Sequence, residues 1–206
     1  MSDKSEVLAR LGVSRETSER LETYAQLLEK WNKAINLVAP ATIPNLWSRH
    51  ILDSAQVFQH APRGGTWVDI GTGGGFPGLV CGILAAEQAP DVSFHLIESD
   101  QRKCTFLTTV LREVGLTAKV HAHRVEAVPP LGARVLSARA LAPLAALLEY
   151  AHRHLERHGK ALFLKGAQHN DEIAKALESW AFDVQKHPSE TDPAGAVLTI
   201  GNITRV

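Results

Sequence analysis

The run Trp67-Val68-Asp69-Ile70-Gly71-Thr72-Gly73-Gly74-Gly75-Phe76-Pro77-Gly78 constrains this chain more than any other stretch. Trp67 to Ile70 reads as a short buried strand, five glycines follow within eight residues, and Pro77 suits the first turn of a helix. Glycine tolerates positive φ and lets a ligand approach backbone where a Cβ would otherwise stand, and a helix start offers unpaired N–H groups. A strand, a glycine turn and a helix start together make a nucleotide site; the bland alternative is a tight turn with Asp69 as a cap.

Two ligand classes compete for that turn. As G-x-G-x-x-G, Gly73, Gly75 and Gly78 fit the dinucleotide fingerprint, with Glu98 twenty positions further on as the ribose acid. As D-x-G-x-G-x-G, Asp69, Gly71, Gly73 and Gly75 fit the motif of S-adenosylmethionine (SAM) methyltransferases, which accounts for more residues. An acid ending an apolar strand needs polar partners, and the amino group of a methionine moiety is one. Length favours the second reading: 206 residues, 45% of them hydrophobic, make one domain with an extension, whereas a dehydrogenase ordinarily carries a separate substrate domain.

Lys plus Arg balance Asp plus Glu at 22 each, so no global positive field marks a nucleic-acid partner, and an RNA site must be a local patch. Cys81 and Cys104 lie in apolar helical patterns without C-x-x-C spacing and are expected as free buried thiols. There is no basic stretch followed by an apolar run, and nothing approaches the ~18 apolar residues of a membrane span. The expected location is the cytoplasm.

Residues 1–60 read as a helical extension. A short helix is expected over Glu6 to Leu11, then a longer one capped by Ser14, with Leu21, Tyr24, Ala25, Leu28, Trp31 and Ile35 forming one apolar stripe. A third runs from about Pro44 to Phe58, with Trp47, Ile51, Ser54 and Phe58 on one face. It carries Arg49 and Asp53 four apart, the spacing of an ordinary surface ion pair. Residues 61–206 then alternate. Strands are expected at 66–70, 92–97, 117–121, 133–138 and 160–165, with helices near 77–88, 101–114, 143–157 and 169–179. Phe182 to His187 and Ala196 to Val206 read as a closing antiparallel pair. The fold class is therefore α/β, a mainly parallel doubly wound sheet with an antiparallel C-terminal strand, the arrangement of the class I, Rossmann-like methyltransferases rather than of the NAD-binding fold.

Ligands of such sheets bind beyond the carboxyl ends of the strands, which brings Asp69, Glu98, Arg124-Val125-Glu126 and Arg139 to one crevice. Glu98 is placed to accept both ribose hydroxyls, or else to cap the next helix. Val125 and Glu126 are placed to meet adenine through backbone groups, and Arg139, following an apolar run, needs an anion or a π-face. His154 and His158 share a helical spacing but lack a third ligand, so no zinc site is expected and both are assigned to the solvated surface.

Together, Lys30-Trp31-Asn32-Lys33, Arg49-His50-Ile51-Leu52-Asp53-Ser54, Gly75-Phe76-Pro77-Gly78, Glu98-Ser99, Arg124-Val125-Glu126, Ser137-Ala138-Arg139-Ala140 and Leu164-Lys165-Gly166 resemble the bacterial small-subunit rRNA guanine-N7 methyltransferases of the RsmG type, also called glucose-inhibited division protein B. The resemblance runs nearly end to end, with Ala138 an extra residue beside the usual Ser-Arg-Ala and Glu98 where Asp also occurs. It implies SAM as cofactor, with Gly71, Phe76, Val125, Glu126 and Arg139 among its contacts beside Asp69, Gly73 and Glu98. It also implies N7 of a guanine in the decoding region of 16S rRNA as acceptor, within the 30S subunit or its precursor. N7 carries no proton, so neither a general base nor a metal is required. Arg49, His50 and Lys165 are the leading RNA contacts, ahead of Lys30, Lys33, Arg102 and Lys103.

Overall fold

A computed structural model of the chain describes residues 3–206. Seven strands form one sheet in the order β3-β2-β1-β4-β5-β7-β6: β1 is Gly65–Ile70, β2 Val92–Ile97, β3 Ala118–His121, β4 Ala133–Arg139, β5 Leu155–Lys165, β6 Trp180–Pro188 and β7 Ala196–Arg205. The first five pair in parallel, while β7 enters between β5 and β6 and runs antiparallel to both, as the closing pair of strands predicts. The helices are α1 (Asp3–Leu11), α2 (Arg15–Asn32), α3 (Asp53–Gln59), α4 (Gly78–Gln88), α5 (Gln101–Glu113), α6 (Leu144–His154) and α7 (His169–Ala176).

Strand alternation divides the core in two. Trp67, Phe94, Leu96, Val135, Leu162 and Val197 point to the face covered by α1 to α5. Val68, Ile70, Leu136, Ala161, Phe163 and Leu198 point to the face covered by α6 and α7. The N-terminal helices share one continuous apolar cluster with α4 and α5. The α2 stripe is buried at Leu21, Tyr24, Ala25 and Leu28; Ser14 caps the helix, its Oγ accepting from the Thr17 N–H at 3.2 Å. Ser14 and Thr17 also bond Glu87 of α4, which pins α2 to the helix that follows the glycine turn.

Three expectations need correction. The helix expected over 44–58 is a 3-10 turn at Pro40–Asn45, a π-helical turn at Trp47–Leu52 and then α3. Trp47, Ile51, Ser54 and Phe58 are all buried nonetheless, and the wide turn also takes His50 inward. Such turns often mark functional sites. The helix expected to reach 157 stops at His154, because Leu155 pairs with Ala133 and starts β5 early; the register then jumps to Val135 opposite Lys160. Ile35 lies beyond the end of α2 but is buried all the same. Among the described residues no helix is long and apolar enough to cross a membrane.

Candidate active site

The glycine turn is built for its backbone. Gly71, Gly73 and Gly75 have φ of 60°, 57° and 96°, values that a side chain at these positions would strain. Behind the turn the Tyr24 hydroxyl of α2 donates to the Gly74 carbonyl at 2.5 Å. Asp69 is fully buried, its Oδ2 accepting from the Gly78 N–H at 3.0 Å and its Oδ1 from the Ser137 hydroxyl at 2.6 Å. Ser137 in turn accepts from Trp67 Nε1 at 2.8 Å. A Cβ at position 78 would lie 2.6 Å from Asp69 Oδ2, so only glycine lets the helix start this close to the strand end. Burial pushes the Asp69 carboxyl up to about 6 against the pull of these hydrogen bonds. Asp69, expected to face a methionine amino group, instead faces inward and joins β1, β4 and the first turn of α4.

In front of the turn lies a cleft of about 300 Å³, lined among others by Gly71, Gly73, Glu98, Lys103, Val125 and Glu126. Glu98 accepts from the Gly73 N–H at 2.9 Å through Oε2 and from the Asp100 N–H at 2.8 Å through Oε1. A carboxylate has about four acceptor sites, and Glu98, which lines the cleft, has two left after these bonds. The helix cap is Asp100, whose Oδ1 takes the Arg102 and Lys103 N–H groups. Val125 opens a 3-10 turn whose backbone is held from behind, with His154 Nε2 at 3.2 Å from the Val125 carbonyl. His154 is therefore buried rather than solvated; burial lowers its pKa, and the neutral Nε2–H form donates. His158 is exposed on β5.

A second, larger cleft of about 890 Å³ opens beside the first and is lined by Arg49, His50, Asp53, Arg139, Lys165 and Lys175, among others. Arg139 faces this cleft and not the smaller one. Its Nη1 donates to Asp53 Oδ2 at 3.1 Å and its Nη2 to His50 Nδ1 at 3.0 Å, while the guanidinium carbon sits 4.6 Å from the Phe76 ring centroid. The protein itself thus supplies both the anion and the π-face that an arginine here requires. Phe76, expected as a cofactor contact, is buried in this assembly, 5.1 Å from His50 and 5.4 Å from Tyr24 by ring centroid.

Since His50 Nδ1 accepts, its Nε2–H donates to Thr42 Oγ1 at 2.7 Å. Burial first, then the Arg139 and Arg49 charges, lowers the His50 pKa to about 4, so the ring is neutral at pH 7. Lys165, expected to meet RNA, is already engaged: its Nζ donates to the Ala142 carbonyl at 2.8 Å and to Glu172 Oε2 at 2.6 Å. Arg49 and Lys175 are exposed at this cleft and make no ion pair among the described residues.

Several site residues escaped the sequence reading. Tyr24 was legible only as part of an apolar stripe. Asp53 was paired with Arg49 by spacing, yet its partners are Arg139, 86 positions away, and Thr191, 138 away, the latter donating its hydroxyl to Oδ1 at 2.7 Å. The two clefts share Ala140, which ends the Ser137-Ala138-Arg139-Ala140 motif, and Leu141 just beyond it. Among the described residues no group of three or more His, Cys, Asp or Glu side chains is disposed to hold a metal ion.

This architecture is shared with solved methyltransferases. A TehB-like SAM-dependent methyltransferase from Corynebacterium glutamicum superposes with a TM-score of 0.55 at 17% identity, covering 90% of this chain and 97% of that one. A SAM-dependent methyltransferase from Aquifex aeolicus gives 0.55 at 12% identity, covering 88% and 98%. At such identities the likeness establishes the fold. Sequence relatives are much nearer. A ribosomal RNA small subunit methyltransferase G of Ruegeria pomeroyi is 50% identical over 196 residues, 95% of this chain and 96% of the relative. One of Cereibacter sphaeroides is 50% identical over 201 residues, 97% and 98% of the two chains. Residues 17–193 match the family model described as GidB, rRNA small subunit methyltransferase G, and the chain belongs to that family.

Proposed function

We propose that this chain transfers a methyl group from SAM to N7 of a guanine in the decoding region of 16S rRNA, acting on the 30S subunit or its precursor. One observation carries the reading: a nucleoside-sized cleft in front of a glycine turn meets a larger cleft at Ala140 and Leu141. The residues present fit the cofactor, since Glu98 keeps acceptor sites for ribose hydroxyls and the Val125–Ala127 turn offers backbone groups to an adenine. SAM supplies a methyl already activated by its sulfonium. The protein's task is then mostly positioning, for which effective-molarity arguments allow ~7–11 kcal/mol.

N7 of guanine holds a free lone pair and no proton, so the chain needs no general base. His50 is engaged at both ring nitrogens, and its role in this reading is to orient Arg139 beside the acceptor. Around the larger cleft Arg49, Arg139, Lys165 and Lys175 are balanced by Asp53, Asp171, Glu172 and Asp192. With no excess positive charge there, recognition rests on RNA shape and a few local contacts, Arg49 and Lys175 first among them.

Mapping 7-methylguanosine in 16S rRNA from cells lacking the protein tests the reading, with loss of one modified base expected and its return on complementation. An unchanged modification pattern refutes it. Methyl incorporation into 30S subunits, protein-free 16S rRNA and a loop oligonucleotide tests the particle requirement; equal kcat/KM on all three sinks that part.

A further inference from the structure

Ala140 and Leu141 are the residues that line both clefts, so in the reading just given the methyl group has to pass beside them. The strap that carries them is pinned on both sides. Arg139 is held by Asp53 and His50, and the Ala142 carbonyl by Lys165 Nζ. Between the pins Ala140 has φ of 52°, the left-handed region that a residue with a Cβ seldom adopts.

Leu141 is 38% exposed, one of the few large apolar side chains on the described surface. It is also the group that overhangs the glycine turn: a Cβ built at Gly71 would run into Leu141 Cδ1 and lie 2.9 Å from Cδ2. The side chain therefore covers the end of the smaller cleft at which a ligand extending from Glu98 toward the larger cleft must emerge. With the backbone pinned, it can leave only by changing rotamer.

We propose that the Leu141 side chain is the gate between the two clefts and the apolar surface on which the target base packs. Entry of the amino-acid end of the cofactor turns it off Gly71 and into the larger cleft, where it presents a hydrocarbon face to the purine and excludes water from the reacting atoms. The proposal rests on the functional reading above. A nucleoside lacking the amino-acid end fills the Glu98 and Val125 end alone and leaves the gate where it is.

Methyl-labelled protein titrated with S-adenosylhomocysteine and, separately, with adenosine tests the gate. The Leu141 methyl resonances are expected to move with the first ligand and stay with the second. Leu141→Trp, too large to clear the opening, is expected to weaken S-adenosylhomocysteine at least tenfold while leaving adenosine within twofold. On the substrate side Leu141→Ala is expected to raise KM for 30S subunits about tenfold, with Leu141→Met restoring it to within about twofold. Tight binding of S-adenosylhomocysteine with unmoved Leu141 methyls, or an unchanged KM in Leu141→Ala, overturns the gate and leaves the methyltransferase reading intact. Binding of neither ligand to the wild-type chain overturns that reading and the gate with it.

Discussion

Tyr24→Phe removes one oxygen atom from the support of the glycine turn and nothing else. The ring keeps its contacts with Phe76 and Phe106, at centroid distances of 5.4 and 6.4 Å. What is lost is the donor 2.5 Å from the Gly74 carbonyl, in a place where the tyrosine is fully buried. A buried acceptor stripped of its donor costs ~1–3 kcal/mol, and that is the expected loss of unfolding free energy in urea at unchanged m. The turn is also the floor of the smaller cleft, so calorimetry should record weaker binding of S-adenosylhomocysteine in the same variant. A second signature separates this hydrogen bond from general loosening. Burial pushes the Tyr24 phenol well above its ordinary value of 10, so the folded chain keeps a proton that the unfolded chain gives up. The wild type therefore loses stability from this group as pH rises above 10, the Phe variant does not, and the gap between them narrows there. A loss below ~0.5 kcal/mol at neutral pH would refute the role assigned to Tyr24, since exposed substitutions commonly change stability by that little.

Glu98→Ala is expected to weaken S-adenosylhomocysteine by ~1.5–3 kcal/mol in calorimetry, the range for hydrogen bonds to a charged group, and unchanged affinity in a folded variant removes Glu98 from the site. On the acid side two buried groups oppose each other. Folded Asp69 holds its proton up to about 6 while an unfolded carboxylate releases it near 3.8, so its contribution grows as pH falls through that window. Folded His50 stays neutral down to about 4 while an unfolded imidazole charges near 6.5, so its contribution is lost as pH falls. His50→Asn should therefore gain stability relative to wild type as pH falls from 6.5 to 4 in urea titrations, and a flat difference refutes the His50 assignment. Single-turnover methylation should be independent of pH from mildly acidic to mildly basic buffers, and a titration abolished by His50→Asn would show that a base takes part after all.

The sheet, its antiparallel closure and the glycine turn were legible because each has a local cause: apolar runs of strand length, turn residues between them, glycines where φ must be positive. Glu98, Val125 and Glu126 were legible for the same reason, since they follow strand ends and the topology alone brings them to one cleft. Asp69, Phe76, Arg139 and Lys165 stand out along the chain as charged or aromatic residues at strand ends and turns, a pattern that does not say which way a side chain faces. Asp69 chose the Gly78 N–H and Ser137 within the fold. Arg139 found its anion in Asp53 and its π-face in Phe76, and Lys165 found Glu172. An unpaired charge at a strand end signals a partner without specifying whether that partner is ligand or protein. Leu141 was invisible because its significance depends on the conformation of Ala140 and the space above Gly71, neither of which leaves a pattern along the chain.

The bond between Asp53 and Thr191 joins positions 138 apart, and the same stretch sends the Glu190 N–H to Gln56 at 3.0 Å. Asp53 in turn holds Arg139, so the arginine at the meeting of the clefts is clamped by a residue that is itself steadied from the β6–β7 loop. In biosynthetic terms, a residue that orients the arginine is itself oriented by a stretch made late. A growing chain can set Glu98 and, once β4 has emerged, Ser137 against the glycine turn and its Asp69, but Asp53 keeps a free acceptor until the loop beyond β6 has been made. Assembly of the acceptor side waits for nearly the whole polypeptide, and such long-range closure is the slow part of folding.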